Sequence, residues 1–148
     1  MNEIQELYRE VILDHNRHPR NFGEIENADR VVEGINPLCG DRITLYLRLS
    51  KGNVEDITFN GTGCAISVAS SSLMTDKVKG TSVSDSLDLF DKIHRLLTDE
   101  NDYQTEGLDK LAALSGVRQY PTRVKCASLA WHALKTALTG SETNTSTE

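Results

Sequence analysis

No stretch of this 148-residue sequence approaches the roughly 18 apolar residues that a membrane-spanning helix requires. The opening residues, Met1-Asn2-Glu3-Ile4-Gln5-Glu6, hold no basic start, apolar run or cleavage site, so no secretory signal is expected. Positive charge is in deficit: 16 Lys and Arg stand against 22 Asp and Glu, a net charge of -6. That balance argues against nucleic acid as the main partner. Neither a Gly-x-Ser-x-Gly nor a Walker sequence occurs, so serine hydrolysis and nucleotide hydrolysis have no support. Cysteine is scarce, at three residues. An odd number of thiols cannot close a disulfide framework, and unpaired thiols without a signal point to a reducing cytoplasm. No two are paired as Cys-x-x-Cys, which removes the zinc ribbon and the thioredoxin motif.

What is present reads as one ordinary folded domain. Charged residues make up 26% and hydrophobic residues 38%, so the chain has apolar material for a real core. Ile4, Leu7, Tyr8, Val11 and Ile12 recur at helical spacing, giving a first helix from Asn2 to about His15, closed by His18-Pro19. Val31 and Val32 suggest a short strand. Ile43, Leu45, Leu47 and Leu49 alternate with polar residues, the pattern of a strand with one buried face. Lys51-Gly52-Asn53 turns the chain into a returning strand from Val54 to Thr62. A helix with Ala65, Val68, Ala69, Ser72, Leu73 and Asp76 on one face follows, stopped by Gly80. Ser82 or Ser84 caps another, with Leu87, Phe90, Ile93, Leu96 and Leu97 inward. Thr98 to Thr105 reads as a polar loop, and Leu108 to Leu114 as a short helix. A last helix follows Pro121-Thr122-Arg123, with Leu129, Ala130, Ala133, Leu134, Ala137 and Leu138 on its inner face. Strands early and helices late describe an α+β fold, a small antiparallel sheet with helices packed on one face. The domain is expected to span residues 1–139, and residues 140–148 to form a disordered tail.

The chemistry gathers where elements end. Cys39 lies on a loop between strands, in Pro37-Leu38-Cys39-Gly40-Asp41. Cys64 lies at a strand-to-helix junction after Gly61-Thr62-Gly63, and Cys126 at the start of the last helix. Helix starts favour thiolates. Gly40 allows a turn that aims Cys39 and Asp41 at one point. Three thiolates and a carboxylate can fill a tetrahedral metal site. Against that, a free cysteine is often a small buried hydrophobe, and an aspartate after glycine a turn residue. Ser70-Ser71-Ser72 reads as small residues permitting tight packing. His15 and His18 read as helix-end or surface groups, His94 as solvated and His132 as a packing residue. None of the four is taken as a ligand.

Leu7-Tyr8-Arg9-Glu10-Val11-Ile12-Leu13-Asp14-His15, His18-Pro19-Arg20-Asn21, Asn36-Pro37-Leu38-Cys39-Gly40-Asp41 and Gly61-Thr62-Gly63-Cys64-Ala65-Ile66-Ser67 together resemble the IscU/NifU-type iron–sulfur cluster assembly proteins. The likeness runs from about Ile4 to Leu138. It implies a compact α+β fold of the SufE/NifU-like kind, with the three cysteines clustered at one end beside a pyridoxal-phosphate cysteine desulfurase. IscU-type scaffolds carry histidine immediately before the third cysteine, where this chain has Lys125. Their Leu-Pro-Pro-Val-Lys run is replaced by Tyr120-Pro121-Thr122-Arg123-Val124-Lys125, and the span from Cys64 to Cys126 is lengthened around Glu106 to Gln119. These departures resemble the SufU branch.

That branch implies a zinc-dependent sulfurtransferase that accepts persulfide sulfur from a SufS-type desulfurase and stimulates it. Cys39, Asp41, Cys64 and Cys126 would be the Zn²⁺ ligands and Cys39 the sulfur acceptor, with Suf scaffold proteins as possible recipients downstream. Zinc-bound thiolate is damped as a nucleophile, so the transferring thiol must leave the metal, and a Pro- and Gly-flanked loop suits Cys39 to that. Lys125 is either a solvated helix-start residue or an attractor of the anionic persulfide, and Arg123 is a further auxiliary candidate. The other function open to the same residues is a non-enzymatic scaffold for a transient Fe–S cluster, since thiolates bind such clusters too.

Overall fold

The computed structural model describes residues 3–99, 106–140 and 143–147. Helix α1, Glu3–Arg17, runs one half-turn past the expected end, and the His18 amide closes it on the Asp14 carbonyl at 2.8 Å. Strands β1 (Arg30–Asn36), β2 (Asp41–Ser50) and β3 (Asn53–Thr62) form an antiparallel meander. Lys51-Gly52 is the two-residue turn of its second hairpin, with Ser50 opposite Asn53. Ile43, Leu45 and Leu47 are buried and their neighbours are not, as the alternation requires. Opposite Arg48 and Leu49 the register skips Glu55, a bulge that reverses the alternation of β3. That bulge is why Val54 and Ile57, three positions apart, both face the core.

Helices α2 (Ala65–Val78) and α4 (Pro121–Thr139) pack on one face of the sheet, with α1 against α2 and α3 (Val83–Thr98) against α4. The α+β architecture is therefore the one expected. The Ser82 hydroxyl caps α3 by accepting the Asp85 amide at 3.0 Å. Asp109–Gln119 is a run of 3-10 turns rather than an α-helix, burying Leu111, Leu114 and Val117. The polar loop expected at Thr98 to Thr105 lies outside the described residues beyond Asp99.

Three expectations need correction. Helix α2 is buried almost all round, from Ile66 through Thr75, because it lies between α1 and α4. Asp76 and Ala65 are exposed, so the single inner face read from the sequence is too narrow. Ser70, Ser71 and Ser72 are packing residues, and each of these three hydroxyls is hydrogen-bonded, whereas the buried Ser67 Oγ has no partner among the described residues. Ser70 Oγ donates to the Ala127 carbonyl at 2.6 Å and accepts the Trp131 indole N–H at 3.1 Å. Second, His15 is no surface group: it is 1% exposed, with Nδ1 2.7 Å from Ser72 Oγ. Third, residues 143–147 do not form the disordered tail expected for 140–148. Asn144–Ser146 forms β4, paired parallel to β1 at the edge of a sheet ordered β3-β2-β1-β4. The pairing rests on backbone bonds along the open edge of β1, among them the Glu33 amide to the Thr143 carbonyl at 2.9 Å. Composition reports apolar burial, and these polar residues contribute little of it.

Burial holds the His15 imidazole below its ordinary pKa, aided by Arg20. His132, half-buried against the Phe90 and His94 rings, is likewise lowered, by burial first and then by His94 and Lys135. In both cases the unfolded chain binds protons more readily than the folded one. Stability is therefore full above the unfolded value of about 6.5 and falls as pH drops below it. Urea unfolding at about pH 7.5 and pH 5.5 is expected to show this loss, with a shallower loss in His15→Gln. An identical pH slope in the variant would contradict the assignment to His15.

Candidate metal centre

The turn Pro37-Leu38-Cys39-Gly40 joins Asn36 of β1 to its directly paired partner Asp41 of β2. Gly40 adopts φ +72°, a left-handed conformation that costs glycine little. The turn projects Cys39 outward, where it is exposed, while Asp41 faces in at 2% exposure. Cys64 is the N-cap of α2, its sulfur accepting the Ser67 amide at 3.4 Å. Cys126 enters from α4. It does not lie in the first turn, as the sequence reading has it: Pro121 opens the helix, so Cys126 sits in the second turn, fully buried.

The donors converge. Cys126 Sγ lies 3.3 Å from Cys39 Sγ, well beyond a disulfide bond length, and all three cysteines are free thiols. The donor atoms of Cys39, Asp41 and Cys126 all lie within 4.8 Å of one another. Cys64 stands just outside that set, close enough to act electrostatically on Cys126. Of the four residues expected to share a site, three are thus gathered tightly and the fourth borders them.

Asp41 is the pivot. Its Oδ1 accepts the Cys64 amide at 2.8 Å, and its Oδ2 accepts Asn36 Nδ2 at 3.0 Å. The same Asn36 amide reaches Cys126 Sγ at 3.5 Å. Among the described residues no Lys, Arg or His forms an ion pair with this buried carboxylate. Burial pushes the Cys126 thiol far above its ordinary pKa, and hydrogen bonds with Cys39 and Cys64 push the same way. A protein cavity that buries a carboxylate and thiols without a counter-cation fits a positive ion, and the donor set is the one Zn²⁺ takes. Ligands about 2.3 Å from a tetrahedral centre are separated by about 3.8 Å, within reach of the spacing here.

The auxiliary candidates are both exposed. Lys125 lines a cavity of about 230 Å³ with Asn36, Pro37, Leu38 and Thr147. Arg123 acts on the Tyr8 phenol, whose pKa burial raises and Arg123 lowers.

A family model described as the NifU-like N terminal domain matches residues 7–144. The chain belongs to this family. Its relatives do not share one name. A Bacillus subtilis protein named zinc-dependent sulfurtransferase SufU is 43% identical over 133 residues, 89% of each chain. A Streptococcus pyogenes protein named iron–sulfur cluster assembly scaffold protein IscU is 38% identical over 138 residues, covering 93% of this chain and 86% of the relative. Among solved structures, a SUF-system protein from Fervidobacterium islandicum AW-1, FiSufU, superposes with a TM-score of 0.84 at 34% identity, covering 90% of this chain and 98% of that one.

In this NifU-like domain two cleft residues went unassigned by sequence reasoning. Asn36 is 1% exposed and joins two donors, yet it carries no charge or thiol to mark it and was legible only as part of a motif. Tyr8 was read as a helix-face residue, and its electrostatic coupling to Cys64 and Cys126 depends on the packing of α1.

Gly63 is where a single methyl group tests the geometry. A Cβ there would lie 2.6 Å from Asp41 Oδ1, so the carboxylate must move. Gly63→Ala is expected to weaken Zn²⁺ binding by about tenfold or more, read by competition with a chromophoric chelator. Unchanged affinity would mean that Asp41 takes no part in the site.

Proposed function

We propose that this protein is a zinc-dependent sulfur-transfer partner of a SufS-type cysteine desulfurase, taking persulfide sulfur on Cys39. The observation that carries the reading is the asymmetry of the donor set. Cys126 and Asp41 are buried, whereas Cys39, 3.3 Å from Cys126, is exposed on a turn. One thiol of the cluster is thereby open to a partner protein while the others stay shielded. The Bacillus subtilis relative named as a zinc-dependent sulfurtransferase supports it, as does Lys125 in the position before Cys126.

Cys39, Asp41, Cys64 and Cys126 would hold the ion. Bound there, zinc supplies a positive charge that keeps buried thiols deprotonated at neutral pH. Asn36 and the Cys64 amide orient Asp41, and Asn36 also donates to the Cys126 sulfur. Transfer itself is thiol–disulfide exchange with no net redox change. The Cys39 thiolate attacks the outer sulfur of the desulfurase persulfide. The S–S bond in the desulfurase breaks, its cysteine leaves as a thiolate, and a new S–S bond stands on Cys39. Lys125, exposed on the same rim, offers a positive charge to the anionic product. The sulfur would pass to Suf scaffold proteins in a reducing cytoplasm, where exposed thiols persist.

The second reading is a scaffold on which an Fe–S cluster is built, favoured by the Streptococcus pyogenes relative's name. Desulfurase turnover separates the two. Zinc-loaded protein is expected to raise it and metal-free protein to fail. Cys39→Ala is expected to lower sulfur acceptance by at least about a hundredfold, because the attacking atom is gone. Stimulation by a reconstituted cluster, and never by zinc, would establish the scaffold reading instead.

A further inference from the structure

The edge strand β4 reaches the metal cleft through a short relay. The Thr147 amide donates to the Ile35 carbonyl at 3.2 Å, which extends the β1–β4 ladder by one residue. The Thr147 hydroxyl then donates to Asn36 Oδ1 at 3.0 Å. With Oδ1 occupied as an acceptor, the Asn36 amide has one orientation. Its Nδ2 faces Asp41 Oδ2 at 3.0 Å and Cys126 Sγ at 3.5 Å. The opposite orientation would set a carbonyl oxygen against a carboxylate and a sulfur, where neither partner has a proton to give once both are ionised.

We infer that β4 is a strap for the cleft, with Thr147 and Asn36 as positioning residues that act through Asp41 and Cys126. The inference rests on the reading of the cleft as a metal site and goes beyond it. A hydrogen bond that fixes a ligand's partner tunes affinity without touching the ion. Thr147 stands one bond further out, directly after a strand of only three residues at the sheet edge. Such an element is held by few contacts and opens locally before the core does. When β4 leaves, Asn36 loses the contact that fixes its amide, and its Nδ2 is no longer held toward Asp41 and Cys126. Coupling of this kind is reciprocal: if the docked strap strengthens ion binding, the bound ion strengthens strap docking.

Three variants of the full chain test the relay. Thr147→Val removes the hydroxyl and keeps the shape, Thr147→Ser keeps the hydroxyl, and Asn36→Ala removes the relay's centre. In chelator competition with Zn²⁺, Thr147→Val is expected to bind about fivefold more weakly and Thr147→Ser as wild type. Asn36→Ala is expected to bind about 10- to 100-fold more weakly. By hydrogen exchange, the Thr147 amide is expected to be better protected in zinc-loaded than in metal-free wild type, with the gain lost in Thr147→Val. Equal zinc affinity in Thr147→Val and wild type, or no change in Thr147 protection on loading, would overturn the strap. The metal-free protein separates this from failure of the metal reading. There, Asn36 side-chain amide exchange is expected to rise in Thr147→Val and not in Thr147→Ser. If wild type bound no zinc while that rise held, the metal reading would fall and the relay alone would stand. With no such rise, the relay would fall on its own.

Discussion

The cleft is organised by one buried carboxylate. Taking Asp41 out of water costs several kcal/mol unless its oxygens are answered. Two neutral N–H groups answer them, from the Cys64 backbone and from Asn36. Each comes from a different part of the fold: Asp41 from β2, Asn36 from β1, Cys64 from the junction of β3 and α2. The carboxylate therefore ties the end of the sheet to the start of a helix. Gly63 lets the backbone come that close. No cationic side chain among the described residues joins it. Neutral donors orient a carboxylate without cancelling its charge, so the site keeps its attraction for an ion.

Burial then divides the thiols by role. Cys126 sits inside the core in the second turn of α4, where an uncompensated thiolate is strongly disfavoured. Cys64 is held by its capping bond to Ser67. Cys39 alone of the three is exposed. A cation in the cleft relieves the penalty on Cys126 and leaves Cys39 the donor with the least to hold it. That gradient, from anchored to accessible, is what a thiol that both binds and transfers requires.

The sequence carried the sheet well, because a half-buried strand writes its burial as alternation, and Ile43, Leu45 and Leu47 do so. It carried α2 poorly, because a helix buried on nearly all sides has no single face to read, and Ser70 and Ser71 satisfy their hydroxyls on backbone carbonyls. Strand β4 was invisible, since Asn144–Ser146 pairs through backbone atoms that composition does not record. In the cleft, the chemistry-bearing residues were legible by type and motif: Cys39, Asp41 and Cys126 do converge. Their unequal burial was not, and neither was Asn36, whose role depends on the β1–β2 pairing that sets it opposite Asp41. Placing Cys126 at a helix start leaves Pro121-Thr122-Arg123 outside α4. Pro121 opens it, as proline at the first helical position commonly does.

The proposed function rests on a single thiolate–carboxylate site suited to zinc. Element-resolved metal analysis of protein purified without added metal tests it most directly. About one zinc per chain is expected, with the zinc lost on alkylation of the thiols. Iron with acid-labile sulfide in its place, or protein that is fully folded, metal-free and indifferent to added zinc, would contradict it.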